Sequence, residues 1–191
     1  MSAGGYNARM LKAPTARVAA TLVFAVTLVA VTAIAAAALK FDAPAGWISR
    51  TPSSAMRVAE FTLPHVPADA EDATVTVFFF GSNMGRNVQT NLDRWIGQLE
   101  QPDGSSSKDR ATSASFTANG LTITTLDVGG TYVAEVTPGS AERFNKPGFR
   151  QIAAVVDTPG GPYFVKLLGP QATVAKWAES YVGFLKTVRF E

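Results

Sequence analysis

The loop at residues 81–87 (Gly-Ser-Asn-Met-Gly-Arg-Asn) separates an apolar segment from a helical pattern and is the first candidate for a ligand site. Free backbone amides and the dipole at a helix N-terminus attract an anion, and Arg86 would add a positive charge. Asn87 is a candidate N-cap. The loop lacks the Gly-Lys-Ser/Thr ending of a P-loop and the Gly-x-Gly-x-x-Gly pattern of dinucleotide sites. Asn83, Arg86 and Asn87 are therefore candidate ligand-binding residues, and the alternative is a loop that only connects a strand to a helix.

Nucleophilic catalysis finds little support in this sequence. A Ser-His-Asp triad would require His65, the only histidine, which lies in a loop between Pro64 and Pro67. The nucleophile pattern Gly-x-Ser-x-Gly does not occur. The serines at 105–107 lie in a polar segment, 102–108, that is typical of an exposed loop. We predict no catalytic residue and expect a non-enzymatic protein.

Metal and cofactor chemistry is equally poorly supported. Asp69, Glu71 and Asp72 share one loop, but they lack the spacing of a calcium-binding EF-hand and are typical of solvated loop residues. The absence of cysteine excludes disulfides, thiol chemistry and cysteine-ligated zinc. A single histidine excludes multi-histidine metal sites. We therefore expect neither a metal nor a cofactor.

Positive charge is concentrated at the start of the chain. The protein has 191 residues and a formal net charge of +2. Residues 1–38 contain three basic residues and no acidic one, whereas residues 39–191 contain 14 basic and 15 acidic residues. The second part is close to neutral, so a nucleic-acid partner lacks electrostatic support.

An uncharged, mostly apolar run of 22 residues extends from Val18 to Leu39 behind this basic segment. Such a run can cross a bilayer as a helix. It is either a cleavable signal peptide, with Ala36 and Ala38 as the small pair at the cut, or an uncleaved signal anchor. Both interpretations divide the chain into a leader at 1–38 and one domain at 39–191. Both also export the domain, to the periplasm or cell exterior, and the second anchors it in the inner membrane through residues 18–38.

The pattern of the domain predicts an α+β fold with a mostly antiparallel sheet flanked by helices. Asn119-Gly120 predicts a two-residue hairpin turn. Strands are predicted at 39–43, 48–51, 56–63, 74–80, 113–117, 121–128, 131–137, 151–157 and 163–168. One helix is predicted from Asn87 to near Pro102, with an apolar stripe of Val88, Leu92, Trp95, Ile96 and Leu99. A second helix follows Gly169-Pro170. Asp93 and Arg94 flank the stripe and are interpreted as a structural charge pair.

The domain resembles a known family at several places. Phe41-x-x-Pro44-x-Gly46-Trp47 resembles the opening of PsbP-like domains, named after an extrinsic subunit of photosystem II. The chain is also similar to a group of uncharacterised exported bacterial proteins along four segments, which are 56–61, 91–98, 130–132 and 166–170. The resemblance implies a PsbP-like α/β/α sandwich and an exported location, and it brings no catalytic residue. Relatives in that group often carry a lipid-anchoring cysteine, which this chain lacks.

Three functions remain open at this stage. The first is an exported accessory or interaction module with an unknown partner protein in the cell envelope, contacted through the loops at 81–87, 138–148 or 158–162. The second is a protein that binds a small molecule or anion through the 81–87 loop. The third is a hydrolase with an unrecognised site.

Overall fold

Ten strands and three helices make up the part of the chain that the computed structural model describes, which is Met1, residues 38–82 and residues 88–191. Residues 2–37 of the predicted leader lie outside this part of the chain. The strands are β1 (Leu39–Lys40), β2 (Ile48–Arg50), β3 (Arg57–Leu63), β4 (Ala73–Phe79), β5 (Leu99–Glu100), β6 (Thr112–Ala118), β7 (Leu121–Tyr132), β8 (Lys146–Val156), β9 (Tyr163–Pro170) and β10 (Arg189–Phe190). The helices are α1 (Val88–Ile96), α2 (Ser107–Arg110) and α3 (Gln171–Thr187).

Eight strands form one antiparallel sheet in the order β2-β3-β4-β9-β8-β7-β5, with β6 also paired to β7. The two short strands β1 and β10 pair with each other. Alternate residues of β9 point to opposite faces: Val165 packs in the core that contains α3, and Phe164 packs in the core that contains α1. The predicted α+β class is confirmed, with a helix on each face of a mostly antiparallel sheet.

The larger core lies between the sheet and α3. Tyr181 is completely buried there, and its hydroxyl donates a 3.0 Å hydrogen bond to the carbonyl of Val165. Pro170, before the helix, provides no side-chain cap. Asp69 replaces it, because its Oδ2 accepts hydrogen bonds from the backbone N and the Oγ1 of Thr173 at 2.7 and 2.6 Å. The loop at 64–72 thus satisfies the free amides of a helix about 100 residues later in the chain.

The smaller core lies between the other face of the sheet and α1. Leu92, Trp95 and Ile96 of the helix are buried against a patch of the sheet. That patch consists of Leu126, Ala153, Val155 and Phe164. A nine-residue helix covers only part of this face, so polar side chains of the same face can reach solvent beside it.

The first helix ends earlier than predicted. It ends at Ile96, and Leu99 lies instead in β5, where it pairs with Tyr132. Leu99 matched the helical stripe because it is buried, but sheet pairing and not helix packing buries it. The predicted loop at 102–108 also contains the start of α2, whose N-cap is Ser106.

The strand predicted at 131–137 is wrong as a separate element. Gly129 and Gly130 do not interrupt pairing, and β7 continues through them to Tyr132. A Cβ on Gly130 would lie only 2.6 Å from the carbonyl oxygen of Glu100, so the glycine permits β5 to approach β7. Strand β8 begins at Lys146, inside the predicted loop 138–148.

Two other expectations concern the hairpin and the leader. The turn between β6 and β7 is confirmed, since Asn119 and Gly120 have φ values of 49° and 77° and β6 pairs with β7 on either side. Within the described residues, no helix has the length and apolar character needed to cross a bilayer. The division at residue 38 and the fate of the leader remain predictions.

We expect the Gly130→Ala variant to lower the free energy of unfolding by about 1–3 kcal/mol, because its new methyl group would overlap the Glu100 carbonyl. Urea unfolding followed by circular dichroism measures this change. Gly129→Ala is the matched control, since the nearest atom to its Cβ is the Phe149 oxygen at 3.5 Å. Equal losses for the two variants would contradict the proposed role of Gly130.

Candidate anion-binding cleft

The predicted ligand residues Asn83, Arg86 and Asn87 lie outside the described residues, so the loop hypothesis stays a prediction. The described flanks are consistent with a turn into a helix, because Gly81 has a φ of 88° and α1 begins at Val88.

His65 lies at an exposed loop position and contacts only its own loop in the hydrogen bonds observed for it. Its Nδ1 is 2.7 Å from Asp72 Oδ1, and its backbone N donates to the same oxygen at 2.9 Å. The hydrogen bond from the His65 ring, followed by that from its backbone, holds the pKa of Asp72 below its ordinary value. The serines at 105–107 bond instead within the segment 99–110. The structure therefore does not join His65 to a serine.

The three carboxylates of the 69–72 loop have different partners. Asp69 caps α3, Glu71 forms an ion pair with Lys146, and Asp72 contacts His65. Among the described residues, no group of three or more His, Asp or Glu side chains is arranged to hold a metal ion. These carboxylates fasten a loop to its neighbours.

Asp93 and Arg94 do not pair with each other in the contacts observed, so their interpretation as one charge pair is wrong. Asp93 accepts a hydrogen bond from Gln89 and lies 3.4 Å from Lys108 Nζ. Arg94 Nη2 donates to Asn91 Oδ1 at 3.3 Å. No carboxylate in the described part of the chain forms an ion pair with Arg94, whose side chain is exposed at the end of α1.

A cleft of about 650 Å³ lies beside the C-terminal end of α1. One wall comes from α1 and the residues after it, and the other from the segment that connects β7 to β8. The connecting segment is held in place by hydrogen bonds from Val133 N to the Gln98 carbonyl and from Phe144 N to the Ala134 carbonyl, both 2.9 Å. The lining residues are Arg57, Arg94, Gly97, Gln98, Tyr132, Ala134, Glu135, Val136, Pro138, Arg143 and Phe144.

Three arginines therefore meet at this cleft. Arg57 Nη1 forms an ion pair with Glu60 at 2.9 Å, and its guanidinium lies 5.6 Å from the Phe78 ring centre. Arg143 is held more loosely, since Nη1 donates to the Val133 carbonyl and Nη2 is 4.0 Å from Glu135. Among the described residues Arg94 has no ion-pair partner, so the arginines there outnumber the carboxylates that contact them, and the cleft has an excess of positive charge.

Lys166 lies next to the cleft, in the middle of β9. Its neighbours across the sheet are the uncharged residues Thr76 and Ala153. Its Nζ donates a 3.4 Å hydrogen bond to Gln98 Oε1 and lies 5.6 Å from the Trp95 ring centre. No carboxylate of the described residues forms an ion pair with it. Burial, and then the positive charges of Arg94 and Arg57, lower the pKa of Lys166 to about 8.

The positive charge of Arg57 also shifts the pKa values of two other groups near the cleft, Tyr132 and Glu60. Burial raises the pKa of Tyr132, and the positive charge of Arg57 opposes that rise. Burial opposes ionisation of Glu60, but hydrogen bonds from Ser53 and Arg57 outweigh it and hold the pKa of Glu60 below its ordinary value. Glu60 is thus an anion that forms an ion pair with Arg57, and no carboxylate in the described part of the chain forms one with Arg94 or Lys166.

Sequence reasoning missed this cleft, although three of the four segments that carry the resemblance supply residues that line it and the fourth supplies a lysine next to it. These are Arg57 from segment 56–61, Arg94 from 91–98, Tyr132 from 130–132 and Lys166 from 166–170. The one available signal was a lysine in the middle of an otherwise apolar strand, 163–168, which is an unfavourable position for a charge without a function.

Comparison with known proteins gives a likeness in fold only. No protein-family model matches the chain, and no curated protein matches it in sequence. It is similar to PA94, a protein of unknown function from Pseudomonas aeruginosa, with 11% identity and a TM-score of 0.43 over 67% of this chain and 78% of that one. It is also similar to LpqN, which is involved in cell envelope biogenesis in Mycobacterium tuberculosis, with 12% identity and a TM-score of 0.48 over 81% of this chain and 83% of that one. The resemblance to PsbP-like domains stays a prediction.

Replacing Lys166 by Met should stabilise the protein at pH 7 by roughly 1–2 kcal/mol, because it removes the cost of holding the lysine charge in the folded state. A shift of one pKa unit corresponds to about 1.4 kcal/mol, and the partial exposure of the side chain reduces this cost through solvent screening. The pKa of Lys166 in the folded state, about 8, lies below its ordinary value of 10.5. The unfolded chain therefore binds more protons between these values, and the contribution of Lys166 to stability rises with pH across this window.

The advantage of Lys166→Met over wild type should accordingly shrink between pH 7 and pH 10, as measured by urea unfolding at each pH. Lys176→Met, on an exposed position of α3, is the control and should retain the pH dependence of wild type. A constant difference between Lys166→Met and wild type across this range would show that the Lys166 charge is not disfavoured in the folded state.

Proposed function

We propose that residues 39–191 form a non-enzymatic, exported binding module that holds a small anionic ligand in the cleft between α1 and the β7–β8 connection. The observation that supports it is the unbalanced positive charge of Arg57, Arg94, Arg143 and the adjacent Lys166, against Glu60 and Glu135 only. A cation cluster of this kind is unfavourable by itself because like charges repel. A bound anion would remove that repulsion.

The size and lining of the cleft support a small ligand. A volume of about 650 Å³ falls within the range of small-molecule sites. Carboxylate and phosphate groups are the anions that arginine binds best, because its planar fork donates two parallel hydrogen bonds. The aromatic rings of Tyr132 and Phe144 are stacked with centres 5.5 Å apart and provide an apolar wall for the rest of the molecule.

The near-neutral charge of the domain as a whole also favours a local site over a surface that binds polymers. Residues 39–191 contain one more acidic than basic residue, so the domain as a whole has no excess of positive charge to attract a polyanion. This proposal keeps the anion-binding function that the sequence suggested, but it assigns the function to residues of the sheet and of α1. The loop containing Asn83, Arg86 and Asn87 remains a separate candidate.

Binding of succinate and inorganic phosphate, measured by isothermal calorimetry, tests the proposal. We expect saturable binding of at least one of them and a loss of affinity of about tenfold or more in Arg94→Gln, because an uncompensated charge-assisted hydrogen bond is worth about 1.5–3 kcal/mol. Arg94 is exposed, so the variant should fold as wild type does. Binding should also raise the thermal midpoint of wild type.

Arg110→Gln is the matched control, since Arg110 is another exposed arginine that pairs with Asp103 at 2.9 Å away from the cleft. It should bind as wild type does. Equal weakening in both variants would indicate a general charge effect, and the absence of binding to either anion at low salt would refute the proposal.

We further propose that the module acts in the cell envelope beside a partner protein. Support comes from the basic segment followed by the uncharged run Val18 to Leu39, which is typical of an export signal. The partner and the envelope compartment are not specified by this argument.

Intact mass and N-terminal sequencing of the protein from native cell fractions test the export. A start near Leu39 in a released fraction is expected for a cleaved signal peptide, and a start at Met1 in the membrane fraction for a signal anchor. Either result supports export, whereas an uncut chain in the cytoplasmic fraction would contradict it.

A further inference from the structure

Lys166 has no structural partner that explains its charge. Its position in β9 is near the middle of the sheet, between β4 and β8, and the residues opposite it are uncharged. Its contacts within the described residues are one long hydrogen bond to the neutral Gln98 side chain and the face of Trp95. An ordinary structural lysine would reach a carboxylate or solvent.

Its surroundings favour the free amine instead. The side chain is partly buried, and Arg94 and Arg57 are close enough to lower its pKa to about 8. At pH 8 about half of such a group is uncharged, which is roughly 100-fold more free amine than an ordinary lysine provides. Lysines next to other cations or in apolar surroundings are the ones that react with carbonyl compounds.

The arginines provide the second half of such a site. Arg57 and Arg94 line the cleft, and their charges reach Lys166. A carboxylate held by these two guanidinium groups would bring a carbonyl carbon bonded to it towards the lysine. The smallest molecules that carry both a carboxylate for the arginines and a carbonyl for the lysine are the 2-oxo acids, in which the two groups are adjacent.

We propose that Lys166 is a nucleophilic amine that captures small 2-oxo acids as an imine, with the carboxylate bound by Arg57 and Arg94. The inference rests on the proposed function of the cleft and specifies its ligand. It describes reversible covalent binding and involves no turnover of the ligand.

The reaction balances without an oxidant or reductant. The Nζ lone pair attacks the carbonyl carbon, the carbonyl π electrons move to oxygen, and a proton passes from nitrogen to that oxygen to give a carbinolamine. Loss of the hydroxyl group with a second proton from nitrogen releases water and leaves the carbon–nitrogen double bond. Hydrolysis by the reverse path returns the lysine and the oxo acid.

Reductive trapping tests the inference on the full-length chain. The protein is incubated at pH 8 with glyoxylate, the smallest 2-oxo acid, and sodium cyanoborohydride, which reduces imines to stable secondary amines. Peptide mapping by mass spectrometry then locates carboxymethyl groups on lysines at early times. We expect Lys166 to be modified at least about tenfold faster than Lys176, and succinate to slow its modification.

Arg94→Gln and the neutral aldehyde acetaldehyde separate the role of the carboxylate from that of the amine. Arg94→Gln should slow the modification of Lys166 by glyoxylate several-fold more than its ethylation by acetaldehyde. Both reactions lose free amine, because removal of the Arg94 charge raises the pKa of Lys166, and only glyoxylate also loses a partner for its carboxylate. Arg110→Gln should affect neither reaction. Without the reductant, the intact mass should return to that of the unmodified chain after dilution, because the imine hydrolyses.

Three results would overturn the inference. They are modification of all lysines at similar rates, no modification of Lys166, and an equal effect of Arg94→Gln on the modification of Lys166 by both reagents. None of these affects the proposed function, since calorimetry with succinate and phosphate measures anion binding separately. Conversely, selective labelling of Lys166 without measurable binding of succinate or phosphate would refute the proposed function. It would still identify Lys166 as a reactive lysine, but it would also refute the assignment of 2-oxo acids as its ligands.

Discussion

The position of β9 inside the sheet is the constraint on which the rest of the structure depends. This strand pairs with β4 on one side and β8 on the other, so its backbone is satisfied and both its faces must be covered. Val165 and Leu167 meet this condition through α3, and Phe164 meets it through α1. The two helices are therefore fixed on opposite faces, and the long loops are arranged around them.

The coverage on the α1 face is incomplete, and the cleft is the consequence. Because α1 has only nine residues, it leaves Lys166 partly uncovered. The Lys166 amine lies over the Trp95 ring and donates to Gln98, beside the arginines of the cleft. Keeping a poorly compensated cation in a sheet costs free energy that an apolar residue would not. Groups with such perturbed ionisation concentrate at functional sites, and this one adjoins a cavity of suitable size.

Local sequence patterns correctly predicted an element where the residues that produce the pattern also have the matching role in the folded structure. The Asn119-Gly120 turn depends on positive φ angles that these two residue types tolerate, so the hairpin could be identified from the sequence. The prediction for Leu99 was wrong because burial in a sheet and burial on a helix produce the same apolar signal over so short a stretch. The separate strand predicted at 131–137 was wrong because Gly130 lies inside the continuous strand β7, where the close approach of the Glu100 carbonyl requires a glycine.

The sequence by itself determined the α+β class, most strands, the final helix and the division of charge between residues 1–38 and residues 39–191, because periodicity and composition are properties of neighbouring residues. Only the tertiary structure decided that Arg57, Arg94 and Arg143 line one cleft and that Lys166 lies next to it, bonded to Gln98. These residues come from β3, α1, the β7–β8 connection and β9, and strand register together with the path of that connection sets their distances. Electrostatic coupling falls with distance through space and is independent of separation along the chain, so no local pattern could reveal it.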